Sequence, residues 1–159
     1  EGGIVSAILV RDGARVAAGE PMLRLDDTAA RGNHAIIVAQ PAERDGRFLM
    51  VRHRERGWEL PGGRMEAREG PVHCALREFR EATGHLLGDP KFVMKLEKPI
   101  GLCYVFTGTL GAEVSIVEEE DPIDEMQWFD RLPEGLAFPD DPYAEMGEGL
   151  GITFGNPTA

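Results

Sequence analysis

A helix is the element that the hydrophobic pattern predicts most clearly. Apolar residues recur at three- and four-residue spacing between positions 72 and 82, which places them on one helical face. They are Val72, Ala75, Leu76, Phe79 and Ala82. Gly70-Pro71 suits a helix entrance, because the first turn does not use the proline N–H, and Gly84 suits a helix end. The pattern predicts an amphipathic helix that ends at Gly84.

Two segments before the helix have the composition of β-strands. Residues 35–39 are apolar, and residues 47–53 alternate between apolar and polar side chains. The link between them, residues 41–46, is polar and turn-forming. We therefore expect the two segments to pair as a hairpin.

Further strand segments follow the helix. Phe92, Met94 and Leu96 alternate on one strand. Residues 100–110 are almost continuously apolar, as in a strand buried on both faces. Short strands are expected at residues 114–117 and 126–129, and a weak helix at residues 142–150.

The first 31 residues have a different character. Strand candidates at residues 3–10 and 21–25 flank a turn at residues 11–13. Their spacing resembles half of a biotinyl/lipoyl-type domain, in the form found in periplasmic adaptor proteins of secretion systems. The matching residues are Gly3, Val5, Ile8, Val10, Gly13, Val16, Gly19, Leu23, Leu25, Asp26 and Asp27. The modification lysine and the second half of that domain are absent, so no lipoyl or biotin function is carried over.

Half of such a barrel cannot bury its own core. Residues 1–31 are therefore expected to pair with the rest of the chain, to pair with a second copy in a homodimer, or to stay loose. An ordinary N-terminal β-extension is the alternative interpretation. Either way, we expect an N-terminal segment at residues 1–31 and a main domain at residues 32–159.

The charge of the chain limits its partners. There are 28 acidic and 17 basic residues, and the net charge is −11. Such an excess argues against a nucleic-acid polymer, because its phosphates need Lys and Arg for neutralisation. Small phosphorylated substrates are compatible with it, because a metal ion can bridge two anions.

The cysteines and the hydropathy pattern give information about where in the cell the protein is located. Cys74 and Cys103 lie on a predicted helix and a predicted buried strand, so we interpret both as reduced core thiols. No apolar run approaches the length of a membrane span, and no signal peptide opens the sequence. The first residue is Glu1, which indicates a fragment or a processed form. We expect a cytoplasmic protein without membrane contact.

Fixed spacings of glycine, acidic and basic residues surround the predicted helix. The stretch resembles the Nudix box, G-x5-E-x7-R-E-U-x-E-E-x-G-U, in which U is an aliphatic residue. The matching residues are Gly63, Glu69, Arg77, Glu78, Glu81 and Gly84. Phe79 stands at the first U, whereas Ala82 replaces the second Glu of the pair and His85 replaces the last U.

The resemblance implies a fold and a reaction. Nudix domains have a mixed sheet between helices, so the expected class is α/β, an α/β/α sandwich carrying an N-terminal β-segment. The family hydrolyses a nucleoside diphosphate linked to another moiety, as in a (d)NTP or a nucleotide sugar. Water attacks a phosphorus while Mg²⁺, with Mn²⁺ as an alternative, polarises the phosphoryl oxygens.

The resemblance also assigns roles to residues. Glu78 and Glu81 correspond to the catalytic, metal-binding carboxylates, and their three-residue spacing keeps them within reach of one ion. The backbone carbonyl of Gly62 corresponds to a further metal ligand. Glu69 is expected to hold Arg77 in position, or to contact the metal ligands without binding the metal itself.

Ala82 removes a carboxylate that often binds the metal in this family. This replacement is compatible with three outcomes: weaker metal binding, recruitment of another acidic residue, or loss of activity. The acidic run 118–121 is the natural source of a replacement base or ligand, with Glu120 and Asp121 favoured. A solvated acidic loop is the alternative.

An arginine-rich stretch lies beside the proposed metal site. Its members are Arg52, Arg54, Arg56, Arg64 and Arg68. Because arginine can clasp phosphate oxygens with two hydrogen bonds, we predict substrate contacts from Arg52 first and from Arg64. Trp58 could stack on a base, with a core or rim position as the alternative. His53 is expected to be structural, and a solvated edge is the alternative for the arginines.

The expected function is Mg²⁺-dependent pyrophosphohydrolysis of a small nucleotide by a Nudix-type hydrolase. The first alternative, favoured by Ala82, is a Nudix-fold module that binds a nucleotide without cleaving it. The second is a fusion or assembly protein that uses residues 1–31 as an interface. Metal-dependent turnover would distinguish the expected hydrolase from the first alternative. Removal of residues 1–31 tests the second alternative.

Overall fold

The computed structural model describes residues 32–114 and 122–155. The predictions for residues 1–31 and for the acidic run 118–121 lie outside the described residues. The described ranges contain seven strands and two helices. In chain order they are β1 (His34–Gln40), β2 (Phe48–His53), β3 (Gly57–Glu59), β4 (Gly62–Arg64), α1 (Pro71–Thr83), β5 (His85–Lys98), β6 (Gly101–Glu113), β7 (Ile123–Phe129) and α2 (Tyr143–Leu150).

These strands form two sheets. One has the order β4-β1-β6-β5 and the other has the order β3-β2-β7. Strand β1 runs parallel to β6 and antiparallel to β4, which makes the larger sheet mixed. The predicted hairpin of residues 35–39 and 47–53 is wrong, because β1 and β2 lie in different sheets.

The reason for this separation is that β1 and β2 are apolar on both faces. Alternate side chains of each strand enter two different core clusters. One cluster includes Ile36, Val38, Phe48 and Met50, and the other includes Ala35, Ile37, Ala39 and Leu49. A strand with two buried faces needs cover above and below and neighbours on both edges, which an isolated hairpin does not provide.

The two helices supply that cover. Cys74, Ala75 and Phe79 of α1 belong to one cluster, and Tyr143 and Met146 of α2 belong to the other. The expected α/β class, with a mixed sheet and packed helices, is confirmed.

Helix α1 begins and ends where the sequence predicts. It starts at Pro71 directly after Gly70, and Gly84 follows it with a φ of 74° in the left-handed region. The predicted apolar face is wrong at Val72, which is 40% exposed. The buried stripe includes Cys74 instead, so the helix is rotated relative to the predicted face.

The strands expected around residues 92–96, at residues 100–110 and at residues 126–129, and the helix expected at residues 142–150, are confirmed with different bounds. Ile100 was expected to open a strand, but it is 62% exposed and lies in the tight turn between β5 and β6. Lys98 and Gly101 pair directly across this turn. Of the strand expected at residues 114–117, only Val114 is described, and it lies just after β6.

Candidate active site

Two glycines allow strand β4 to approach its neighbours closely. Gly62 and Gly63 pair with Ile36 and Ala35 of β1. A Cβ atom at Gly62 would collide with the Ala35 carbonyl, and one at Gly63 would collide with the Glu78 carboxylate. The carboxylate of Glu78 is therefore packed directly on the β4 backbone, where the strand meets helix α1.

Arg77 lies at the centre of a group of carboxylates. Its Nε and Nη2 donate to the two oxygens of Glu69 at 2.7 and 2.9 Å. Its Nη1 donates to Glu78 at 2.8 Å and to Glu81 at 3.3 Å. Nη2 also donates to the Arg64 carbonyl at 2.9 Å. Glu69 thus contacts Arg77 as expected, and the pair ties the loop before α1 to the helix. We call Arg77, Glu69, Glu78 and Glu81 the carboxylate cluster.

This cluster is largely shielded from solvent. The side chains of Arg77, Glu69 and Glu78 are 17%, 12% and 14% exposed. The hydrogen bonds from Arg77 lower the pKa of Glu69, and the same bonds raise the pKa of Arg77 above its already high value. Both groups are therefore ionised at neutral pH.

Glu78 and Glu81 are the pair best placed to share a cation. Both accept a hydrogen bond from the same nitrogen, Arg77 Nη1, so their oxygens converge. Mg²⁺ takes carboxylate oxygens and usually completes its shell with water and phosphate oxygens. In the part of the chain that the structure describes, no group of three or more His, Cys, Asp or Glu side chains surrounds a metal position. The donor set fits a hard divalent cation as a partial shell, to which Ala82 adds nothing.

A cleft of about 680 Å³ opens beside the cluster, a size that suits a nucleotide. Gly62, Arg64, Arg77 and Glu78 line its wall near the cluster. Its other charged and titratable residues include His34, Arg56, Glu59, Lys98 and Asp141, and its apolar residues include Ile36, Leu60, Ile100 and Phe138. The cleft therefore combines a charged wall with an apolar surface.

The arginine stretch divides between two places. Arg56 and Arg64 line the cleft. Arg52 and Arg54 do not line it, because each forms an ion pair with strand β7. These pairs are Arg52–Glu125 at 3.1 Å and Arg54–Asp124 at 3.0 Å. The structure thus brings Arg64 to the cluster, and Arg52 is not part of the cleft wall.

Trp58 and His53 have structural contacts. The Trp58 ring packs edge-on against Phe129, with 4.8 Å between ring centroids, and does not line the cleft. His53 is buried, and its Nδ1 accepts backbone N–H groups of Glu55 and Arg56 at 3.1 and 3.2 Å. The structural interpretation of His53 is confirmed. Glu120 and Asp121 lie outside the described residues.

The cleft includes four residues that the sequence analysis did not single out: His34, Lys98, Phe138 and Asp141. Lys98 Nζ donates to Asp141 at 2.7 Å across 43 positions of sequence. Burial lowers the pKa of His34, whose Nδ1 lies 3.1 Å from the Gly32 carbonyl. A local pattern can suggest only His34, because it opens a strand beside the glycine pair.

Among the helices of the described ranges, none is long and apolar enough to cross a bilayer.

One similarity concerns secretion proteins. The type I secretion membrane fusion protein PrsE of Rhizobium meliloti is 50% identical to this chain over 82 residues. These residues cover 52% of this chain and 17% of PrsE. PrsE is of the adaptor kind that residues 1–31 resemble.

Other similarities are to a diphosphatase and a pyrophosphohydrolase. YtkD of Bacillus subtilis, provisionally named as an 8-oxo-dGTP diphosphatase, is 31% identical over 99 residues, which cover 58% of this chain and 60% of YtkD. This chain thus spans less than two thirds of that relative. The crystal structure of a mutant Bacillus subtilis pyrophosphohydrolase has a TM-score of 0.61 at 20% identity, with 76% of this chain and 82% of that chain covered. At that identity the likeness is one of fold.

The NUDIX domain family model matches residues 32–141. The match includes both sheets, helix α1 and every residue of the carboxylate cluster. The chain therefore belongs to the Nudix domain family.

Proposed function

We propose that this chain is a metal-dependent Nudix pyrophosphohydrolase that cleaves a nucleoside diphosphate linked to another moiety. The observation that carries the proposal is the convergence of Glu78 and Glu81 beside a nucleotide-sized cleft that Glu78 lines. Membership of the Nudix family supports hydrolysis of phosphoric anhydrides.

Glu78 and Glu81 would hold the cation, and the Gly62 carbonyl is the candidate for a further ligand. Mg²⁺, or Mn²⁺ in its place, would lower the pKa of a bound water and stabilise charge on the phosphoryl oxygens. Glu69 is a positioning residue in this proposal. Its two hydrogen bonds fix Arg77, and Arg77 in turn orients the carboxylate of Glu78.

The substrate phosphates need positive charge as well. Arg64 lines the cleft beside the carboxylate cluster and is the protein group proposed for this role, whereas Arg56 is bound to both oxygens of Glu59. Arg52 stays a prediction with a weaker basis, because its guanidinium pairs with Glu125. Glu120 likewise stays a prediction as a base or an additional ligand.

The remaining assignments form part of the same proposal. The substrate is a small nucleotide rather than a nucleic-acid polymer, in keeping with the net charge of −11. A cytoplasmic location suits such a substrate and suits Cys74 and Cys103, which are free and buried. A boundary near residue 31 is supported by the family match, which begins at residue 32. Residues 1–31 are then the segment proposed for a homodimer contact.

Product release from a panel of nucleotides, with Mg²⁺, with Mn²⁺ and with a chelator, tests the proposal. Glu78→Gln removes one cation ligand and is expected to lower kcat by a factor of about 100 or more. Glu113→Gln is the matched control, since Glu113 is an exposed residue of β6 outside the cleft. Turnover that persists with a chelator, or equally in both variants, would contradict the proposal.

A nucleotide-binding module without turnover is the second candidate. It is favoured by Ala82 and by the lack of a three-residue ligand group within the described ranges. Nucleotide binding by a folded protein that hydrolyses no member of the panel would establish this candidate instead.

A further inference from the structure

The cleft has a second end that the hydrolytic chemistry does not use. Phe138, Ile100, Lys98 and Asp141 all line it, and none belongs to the carboxylate cluster. Phe138 and Ile100 are 45% and 62% exposed. Large apolar side chains exposed within a cleft are suited to contact a ligand.

Phe138 is held in place by its own backbone. The loop before it is bound to strand β3, because Trp58 N–H donates to the Gly135 carbonyl at 2.9 Å and Ala137 N–H donates to the Trp58 carbonyl at 2.7 Å. The Phe138 carbonyl accepts the Tyr143 hydroxyl at 3.0 Å. The ring is therefore an ordered aromatic surface that still faces solvent. Such a surface can stack on a planar base at small entropic cost.

The ring already has one partner. The Arg56 guanidinium lies 5.8 Å from the Phe138 ring centroid, and its Nε and Nη2 bind both oxygens of Glu59 at 3.0 Å. This chain of contacts restrains the ring further. It leaves nearly half of the Phe138 side chain accessible.

Lys98 and Asp141 place a hydrogen-bond donor beside an acceptor. Lys98 Nζ and Asp141 Oδ1 are 2.7 Å apart, and their side chains are 17% and 15% exposed. Within the described residues, Lys98 is the only group that donates a hydrogen bond to the Asp141 carboxylate. The second oxygen of Asp141 is thus available to a ligand. A carboxylate can accept two N–H groups side by side, and an ammonium can donate to a neighbouring carbonyl.

We propose that this end of the cleft is a nucleobase subsite that selects guanine, with Phe138 and Ile100 contacting the base and the Lys98–Asp141 pair binding its edge. The inference rests on the proposed function for the phosphate end of the substrate. Guanine is the common base whose edge carries two adjacent N–H donors next to a carbonyl. Asp141 accepts the two donors and Lys98 donates to the carbonyl. Adenine offers a single donor beside a single acceptor, so Asp141 accepts one hydrogen bond from it instead of two.

Nucleosides test the subsite without phosphates, metal or turnover. Binding of deoxyguanosine, deoxyinosine and deoxyadenosine to the full chain is measured by NMR titration of the Ile100 methyl and Phe138 ring signals. Deoxyinosine lacks the 2-amino donor, so it should bind about fivefold more weakly than deoxyguanosine. Deoxyadenosine should bind about tenfold more weakly. Equal affinities for the three nucleosides would overturn the subsite. Binding that leaves the chemical shifts of Ile100 and Phe138 unchanged would overturn it as well.

Variants sharpen the test. Asp141→Asn should abolish the difference between deoxyguanosine and deoxyinosine, whereas Asp140→Asn, an exposed neighbour outside this cleft, should preserve it. Phe138→Ala should weaken the binding of all three nucleosides about tenfold. Phe92→Ala is its control, since Phe92 is 57% exposed but lies on β5 away from the cleft. A preference for guanine that survives Asp141→Asn would contradict the assignment.

The two proposals fail separately. Turnover of all nucleoside triphosphates with equal kcat/KM would overturn the guanine subsite and leave the hydrolase assignment standing. Selective deoxyguanosine binding by a protein without turnover would support the subsite and overturn the hydrolase. If Asp141→Asn does not fold, the comparison of deoxyguanosine with deoxyinosine in the wild type still decides.

Discussion

The ion pair of Glu69 with Arg77 should be a main source of stability for helix α1. Glu69→Gln keeps the shape of the side chain but replaces one accepting oxygen with an amide that faces a guanidinium donor. At least one charge-assisted hydrogen bond, of 2.7 or 2.9 Å, is lost in a site where both partners are less than one-fifth exposed. Such a bond contributes about 1.5–3 kcal/mol. Arg77 keeps its hydrogen bonds to Glu78 and Glu81 in this variant. We therefore expect the free energy of unfolding to fall by about 2–3 kcal/mol, which is less than the cost of leaving a buried charge without a partner.

Glu66→Gln is the matched control, since Glu66 approaches the same guanidinium. Its carboxylate lies 3.7 Å from Arg77 Nη1, and its side chain is 62% exposed. An exposed pair at that distance contributes less than about 0.5 kcal/mol. Urea denaturation followed by tryptophan fluorescence gives the free energy of unfolding of both variants. Equal losses would refute the argument that burial of the Glu69 pair determines its strength.

The pH dependence provides a second check on the same pair. The hydrogen bond from Arg77 is the main reason that the pKa of Glu69 lies below its ordinary value of 4.5. A carboxyl with a depressed pKa stabilises the fold fully above its unfolded-state pKa and loses that contribution as the pH falls through the folded-state pKa. The stability difference between wild type and Glu69→Gln should therefore be constant above pH 6 and shrink below about pH 4.5. A difference that does not change with pH would count against the assignment.

Three further predictions concern the same domain. Gly63→Ala should displace the carboxylate packed on it and reduce kcat at least about tenfold, measured beside Gly70→Ala, where a Cβ meets nothing within 4 Å. Ala82→Glu should lower the Mg²⁺ concentration for half-maximal activity about tenfold, and an unchanged value would exclude position 82 from the metal site. Burial raises the pKa of Cys74 to about 12 and that of Cys103 to about 11. At pH 8 a thiol reagent should therefore label both cysteines at least about 100 times faster in urea than in the native protein.

The features predicted from the sequence are those encoded by neighbouring residues. The bounds of helix α1 follow from Gly70, Pro71 and Gly84, because caps act within one turn. The contact of Glu69 with Arg77 spans only eight positions and joins a loop to the helix that follows it. The capping residues were sufficient for the helix bounds, and the contact of Glu69 with Arg77 was expected from the resemblance to the Nudix box.

The features that were not predicted depend on distant pairing. Residues 35–39 and 47–53 suit a hairpin locally, but their burial on both faces requires β6 and β7, which come much later in the chain. The Lys98–Asp141 pair spans 43 positions and has no spacing signature. The prediction for Arg52 failed to anticipate Glu125, because a surface strand that carries arginine can be neutralised by any acidic neighbour across the sheet.

Ala82 is easier to understand from the charge of the cluster than from the motif alone. Glu69, Glu78 and Glu81 share one guanidinium, so the cluster is negative before any substrate enters. A further glutamate at position 82 would strengthen cation binding, but it would also repel the phosphates of the proposed substrate. Ala82 lowers that repulsion at the expense of a ligand. Metal binding should therefore depend more strongly on bound substrate in this chain than in Ala82→Glu, because the phosphate oxygens must complete the shell that the protein leaves partial.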